Sequence, residues 1–141
     1  MAVLNFIREK YMPILTVKVS GDPHTEKTKQ MSELLIDCTT RILKKKPELI
    51  SIVIDYIHPD NWIIAGKTLT EQGKNSFYFD IKITDETNTK DEKVQYIKET
   101  FAGFNRILNN LHEESYIHIH DVKAAAYGYG GHTQEYRYHN K

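Results

Sequence analysis

The chain has almost no cysteine, no net charge and no long apolar run, and each absence closes off a class of protein. Cys38 stands alone. That rules out an internal disulfide and fits a reducing compartment, so a cytoplasmic location is expected. The 19 basic and 19 acidic residues cancel, leaving no net field to hold nucleic acid or an anionic membrane. No stretch approaches the roughly 18 apolar residues that cross a bilayer. The N-terminus lacks the apolar core and small-residue cleavage site of a secretory signal. At 141 residues the chain is long enough for one real core and too short for two comfortable ones.

What the chain does have is a plan stated twice. Arg41-Ile42-Leu43 returns as Arg106-Ile107-Leu108, 65 residues further on. At the same offset Glu48 matches Glu113, Ile52 matches Ile117, Ile54 matches Ile119, Trp62 matches Tyr127, Gly66 matches Gly131 and Thr68 matches Thr133. Upstream, Thr16 to Ser20 matches Asp80 to Thr84 at an offset of 64. One supersecondary unit used twice explains the pattern.

Each unit reads as β-α-β. Ile14 to Val19 alternates with period two, and Gly21-Asp22-Pro23 signals a turn with Asp22 as helix cap and Pro23 in the first helical position. Met31, Leu34, Leu35, Cys38, Ile42 and Leu43 then mark one helical face. Cys38 on that stripe reads as a small buried hydrophobe, since reactive thiols need cationic, partly exposed surroundings. Lys44-Lys45-Lys46 reads as the last helical turn, favourable at the negative end of the dipole, with Pro47 as the stop. Ile50 to Ile57 is the second strand. In the second unit Phe77 to Ile83 is a strand, and Thr89 to Glu92 has capping-box spacing. Val94, Ile97, Phe101, Phe104, Leu108 and Leu111 form the expected buried stripe, and Tyr116 to Val122 the last strand.

Helical crossovers make the strands of each unit parallel neighbours. The expected fold is α+β: tandem β-α-β repeats in a four-stranded mixed sheet, with two helices on one face. The opposite face, with apolar and aromatic side chains, is expected to be buried by association. Each unit ends in a glycine turn, Trp62 to Gly66 and Tyr127 to Gly131. No helix pattern follows the second, so it reads as a hairpin or subunit contact rather than a phosphate loop.

Met12-Pro13-Ile14-Leu15-Thr16-Val17-Lys18-Val19 resembles the start of a tautomerase of the oxalocrotonate tautomerase and macrophage migration inhibitory factor superfamily. Tyr127-Gly128-Tyr129-Gly130-Gly131 is similar to the aromatic-Gly-x-Gly-Gly turn that ends the family's unit. The resemblance covers about Pro13 to Thr133. It implies a homotrimer, and a proton shift between keto and enol forms of a small carbonyl substrate, with Pro13 nitrogen as base and no metal or organic cofactor. Phe77 takes the corresponding place in the second unit, so one such base per chain is implied. The domain reading follows: an extension over 1–12, then a tautomerase-like domain over 13–141, with repeats at about 13–69 and 76–134.

Two departures shape the site expectations. Residues 1–11 precede Met12, and with them attached Pro13 nitrogen is a tertiary amide without basicity. Val3, Leu4, Ile7 and Tyr11 form a short apolar stripe expected to dock at the pocket mouth. The family's arginine positions hold Asp22-Pro23, Asp85-Glu86, Ser51 and Tyr116 instead. Lys18 and Lys82 repeat in the two first strands, and Lys82 is the candidate cation for enolate charge. Trp62 and Tyr127 are candidate aromatic walls, and Tyr116 and His118 candidate neutral polar groups. Arg41 and Arg106 read as flank residues reaching solvent. His118 and His120 share a strand face, but no third metal ligand is identifiable, so no metal is expected. The alternative is a non-enzymatic binding or assembly module on the same scaffold. A ferredoxin-like β-α-β-β-α-β domain shares the element order but not the paired glycine turns.

Overall fold

A computed structural model describes residues 13–140. The predicted docking of the extension falls on residues 1–12 and lies outside the described residues.

The alternation of the first apolar run becomes β1 (Ile14–Ser20), which buries Leu15, Val17 and Val19 completely on one face. β2 (Ser51–Ile57) runs parallel to it. The second half supplies β5 (Phe77–Thr84) and, parallel to it, β6 (Tyr116–Val122). β1 and β5 pair antiparallel, so the order across the sheet is β2-β1-β5-β6 and the two halves meet at the centre. Both long helices, α1 (Thr25–Arg41) and α3 (Lys90–Leu108), lie on one face. Their Met31, Leu35, Cys38, Tyr96 and Phe104 join Leu15, Val17, Val19, Phe77, Phe79, Ile81 and Ile83 in one core. Phe77 stacks on Phe104 with ring centroids 4.1 Å apart. Burying each such ring contributes about 1.5–3 kcal/mol.

Three helix details differ from expectation. The cap of α1 is His24, whose Nδ1 accepts from Lys27 N–H at 3.1 Å, and Pro23 precedes it. The helix stops at Arg41, so the lysine run lies beyond it; Lys44 takes a left-handed backbone (φ 62°) and Lys45 is buried, its Nζ 3.0 Å from Thr87 Oγ1. The stripe of α3 is Tyr96, Thr100, Gly103, Phe104 and Leu108, while Val94 and Ile97 are exposed. The cause is the helix contact: a Cβ on Gly103 would come within 2.2 Å of Leu34 Cδ1, and Tyr96 hydroxyl bonds Thr39 at 2.8 Å. The expected box at α3 forms, with Thr89 and Glu92 satisfying each other's backbone N–H.

Each glycine turn is a small hairpin: β3 (Ile63–Ile64) with β4 (Lys67–Thr68), and β7 (Gly128–Tyr129) with β8 (His132–Thr133). Both two-residue loops have two positive φ values, at Ala65-Gly66 and Gly130-Gly131, the twist that fits a tight hairpin. Contrary to the sequence pattern, a short helix follows each hairpin: α2 (Leu69–Gln72) and α4 (Gln134–His139). Thr68 and Thr133 start them by accepting from the N–H three residues on. Four residues and six are too few to show helical periodicity.

The sheet face away from α1 and α3 exposes Val53, Tyr78 and Tyr116, as the apolar expectation has it. It also carries Lys18, Asp55, Asp80, Lys82, His118 and His120, because polar residues share the alternate positions.

Candidate active site

Because β1 and β5 are antiparallel, the start of each half's first strand lies beside the end of the other half's strands. The hairpin after β6 therefore reaches Pro13, and the hairpin after β2 reaches Phe77. Two cavities result. The first, about 460 Å³, is lined by Pro13, Ile14, Glu48, Leu49, Ile50 and Ser51 from one half and Tyr127, Gly128 and Tyr129 from the other. Its repeat counterpart, about 1080 Å³, includes Trp62, Ile63, Phe77, Tyr78, Glu113 and Tyr116. Phe77 there stands where Pro13 stands in the first.

The Pro13 cavity is held from several sides. Pro13 carbonyl accepts from Ser51 N–H at 3.1 Å, tying the strand start to β2. Tyr127 hydroxyl bonds Thr84 Oγ1 at 2.5 Å across the end of β5. Burial pushes the Tyr127 phenol up to about 12, against the smaller lowering by Thr84 and Gln134. Gly128 has no room for a side chain, since a Cβ would stand 1.9 Å from His132 oxygen. Arg137 donates from Nη2 to Tyr129 carbonyl at 2.8 Å and lies over the Tyr129 ring, 3.9 Å from its centroid.

Of the sequence-predicted site residues, Pro13 and Tyr127 share the first cavity, whereas Trp62 and Tyr116 line the second. Tyr116 hydroxyl donates to Glu114, which pushes the Tyr116 phenol above its ordinary value. Lys82 and His118 line neither and lie on the open sheet face. Lys82 is the register partner of Ile14, and its Nζ is 3.0 Å from Asp80 Oδ1. Arg41 bridges Asp37 and Glu99 at 3.1 and 2.9 Å, joining α1 to α3. Cys38 is 1% exposed, and burial pushes its thiol up, as a packed hydrophobe requires. Sequence reasoning missed Tyr129 and Glu48 at the first cavity, Arg137 behind Tyr129, and Asp80 beside the two histidines. The crossing of the halves brings the first group together, and the parallel β5–β6 register brings Asp80 to His118; neither pairing is written in local spacing.

No family model matches the chain. A curated relative, "Probable tautomerase K2" of Dickeya dadantii (strain 3937), is 33% identical over 66 residues, which are 43% of this chain and 92% of that protein. This chain belongs to the tautomerase superfamily. The length matched is close to one repeat, as a fused double β-α-β member requires. Solved structures share the fold over most of the chain. Pt0534 inactivated by 2-oxo-3-pentynoate superposes with a TM-score of 0.75 at 15% identity, covering 86% of this chain and 96% of that one. A fused 4-OT described as a wild-type symmetric trimer also gives 0.75, at 12% identity and the same coverage.

Proposed function

We propose that this tautomerase-superfamily chain catalyses keto–enol proton transfer on a small carbonyl substrate, with Pro13 nitrogen as base in a chain that begins there. The observation that carries the reading is Pro13 at the edge of a cavity of about 460 Å³ walled by Tyr127 and Tyr129. That volume suits a small molecule. As a free secondary amine, Pro13 nitrogen starts near a pKa of about 8. Apolar Ile14, Leu49 and Ile50 and the carboxylate of Glu48 line the same cavity. A base poised near neutrality removes a proton beside a carbonyl and returns it elsewhere. A 2-oxo compound is the substrate class favoured, because a structural neighbour is inactivated by 2-oxo-3-pentynoate.

Tyr127 forms the aromatic wall. Lys82 and Arg137 are the proposed cations for substrate charge, Lys82 across the ladder from Ile14 and Arg137 behind Tyr129. Trp62, Tyr116 and the nearby His118 serve the second half, where Phe77 offers no base. Residues 13–141 are taken as the working domain and 1–12 as an extension. The chain is proposed to be a cytoplasmic homotrimer closed over the open sheet face, on the support of its exposed Val53, Tyr78 and Tyr116 and a trimeric neighbour.

A binding or assembly module is the second reading. It is favoured by the Met12–Pro13 peptide bond in this sequence and by the absence of a cation among the nine cavity-lining residues. The test compares the full chain with one beginning at Pro13, using phenylpyruvate enolisation. The short form should gain activity, and Pro13→Ala in it should remove most of the gain, since a general base contributes roughly 10²–10⁴-fold. Equal turnover by the two forms would rule out Pro13 as base. Inactivity of both would favour the binding module.

A further inference from the structure

The open sheet face contains a three-residue cluster of which the tautomerase reading uses only His118. His118 and His120 are two apart on β6 and point to the same side, with ring centroids 3.7 Å apart. Asp80 is the β5 residue directly opposite His118 in the parallel register. Its Oδ2 is 2.8 Å from His120 Nε2. One ligand atom from each of the three lies within 4.8 Å of the others. An ion bonded at about 2.0–2.2 Å holds its ligand atoms within about 4.4 Å of one another, so small side-chain rotations complete the set.

We propose that Asp80, His118 and His120 form a binding site for one divalent first-row transition ion of the zinc class per chain. Two imidazoles and one carboxylate suit zinc, nickel, copper or iron, and not magnesium or calcium, which take oxygen donors. All three donors project from adjacent paired strands, Asp80 from the inner β5 and both histidines from the edge strand β6, so their spacing is set by the ladder rather than by a loop. The carboxylate is further oriented from behind. Asp80 Oδ1 accepts from Lys82 Nζ at 3.0 Å, the kind of supporting contact that fixes ligand geometry, while Oδ2 faces His120 Nε2 at 2.8 Å, where the ion would replace the shared proton. Lys82 repels a dication, but its side chain is 43% exposed and free to turn toward solvent. Three protein ligands leave a coordination position for water or a further ligand. The site uses neither Pro13 nor its cavity, and its test reads binding rather than turnover.

The experiment uses the untagged full chain, stripped with a chelator and titrated with Zn²⁺ against a chromophoric competitor, with Co²⁺ as a spectroscopic probe. One ion per chain is expected, with a visible Co²⁺ band. His118→Gln, His120→Gln and Asp80→Asn should each weaken binding at least tenfold and remove the band, with circular dichroism unchanged. His132→Gln and His139→Gln, outside the cluster, should bind as the parent does. Binding that is absent in the parent, or equal in the parent and the three cluster variants, would overturn the assignment. So would loss of the band in the two outlying variants.

Discussion

Removing one oxygen atom, in Tyr127→Phe, separates the wall of the Pro13 cavity from the bond that holds it. The ring stays, so the cavity keeps its shape; the bond to Thr84 Oγ1 at 2.5 Å is lost. A neutral, partly buried hydrogen bond of this kind contributes about 1 kcal/mol, so the variant should be about that much less stable at pH 7 to 9. The difference then depends on pH. The folded phenol is raised to about 12, against about 10 for an unfolded tyrosine. Between those values the unfolded chain has released a proton that the folded chain still holds, so stability falls as pH rises. At pH 11 the unfolded phenol has gained about 1.4 kcal/mol by ionising and the folded one less than about 0.1. Tyr127 is only partly buried, and solvent screening reduces the difference, so the parent's advantage should shrink toward zero by about pH 11. Other tyrosines and lysines titrate in both proteins and cancel in the difference. Urea unfolding at equal chain concentration, at half-unit steps from pH 8 to 11, measures it. A parent–variant difference that stays constant over that range would refute the buried-phenol account. Phenylpyruvate turnover by the Pro13-initiated form should be nearly unchanged in Tyr127→Phe and reduced in Tyr127→Ala; a large loss in the Phe variant would instead give the hydroxyl a part in the chemistry.

Gly103→Ala should destabilise by about 1 kcal/mol, the net of a clash of about 1–3 against Leu34 and a helix-propensity gain of roughly 1. In a Leu34→Ala background the same change should become stabilising, which a double-mutant cycle by urea unfolding checks. Cys38, 1% exposed with its thiol pushed up by burial, should resist iodoacetamide at pH 8 in the native protein and react on unfolding, as followed by intact mass.

The repeat carried most of the fold. Matched runs such as Thr16–Ser20 and Asp80–Thr84 announced two equivalent units, and the strand ends fell within a residue of those observed. Errors gathered where one element's packing partner decides the outcome. Val94 and Ile97 look like core by composition, yet Gly103 turns α3 so that Tyr96 and Thr100 face inward instead. The buried Lys45 was hidden because three consecutive lysines read as a solvated helix end, whereas the chain turns at Lys44 and folds the next side chain inward. The candidate site was legible only in pieces. Pro13, Tyr127, Trp62 and Tyr116 all stand out in the sequence, but nothing in it signals that they belong to different cavities. That division comes from the antiparallel meeting of β1 and β5, a contact between residues some sixty apart.

The same crossing makes the two halves mutually dependent as pieces of a molecule. A break in the segment between α2 and β5 would separate Pro13 from Tyr127 and Trp62 from Phe77. Neither fragment would own a finished cavity, and each would also lose its partner along the central ladder and expose a bare strand edge. The chain is thus a natural candidate for splitting into two inert fragments whose reunion restores both pockets together. A substitution in one fragment's hairpin would then report in the pocket whose first strand came from the other.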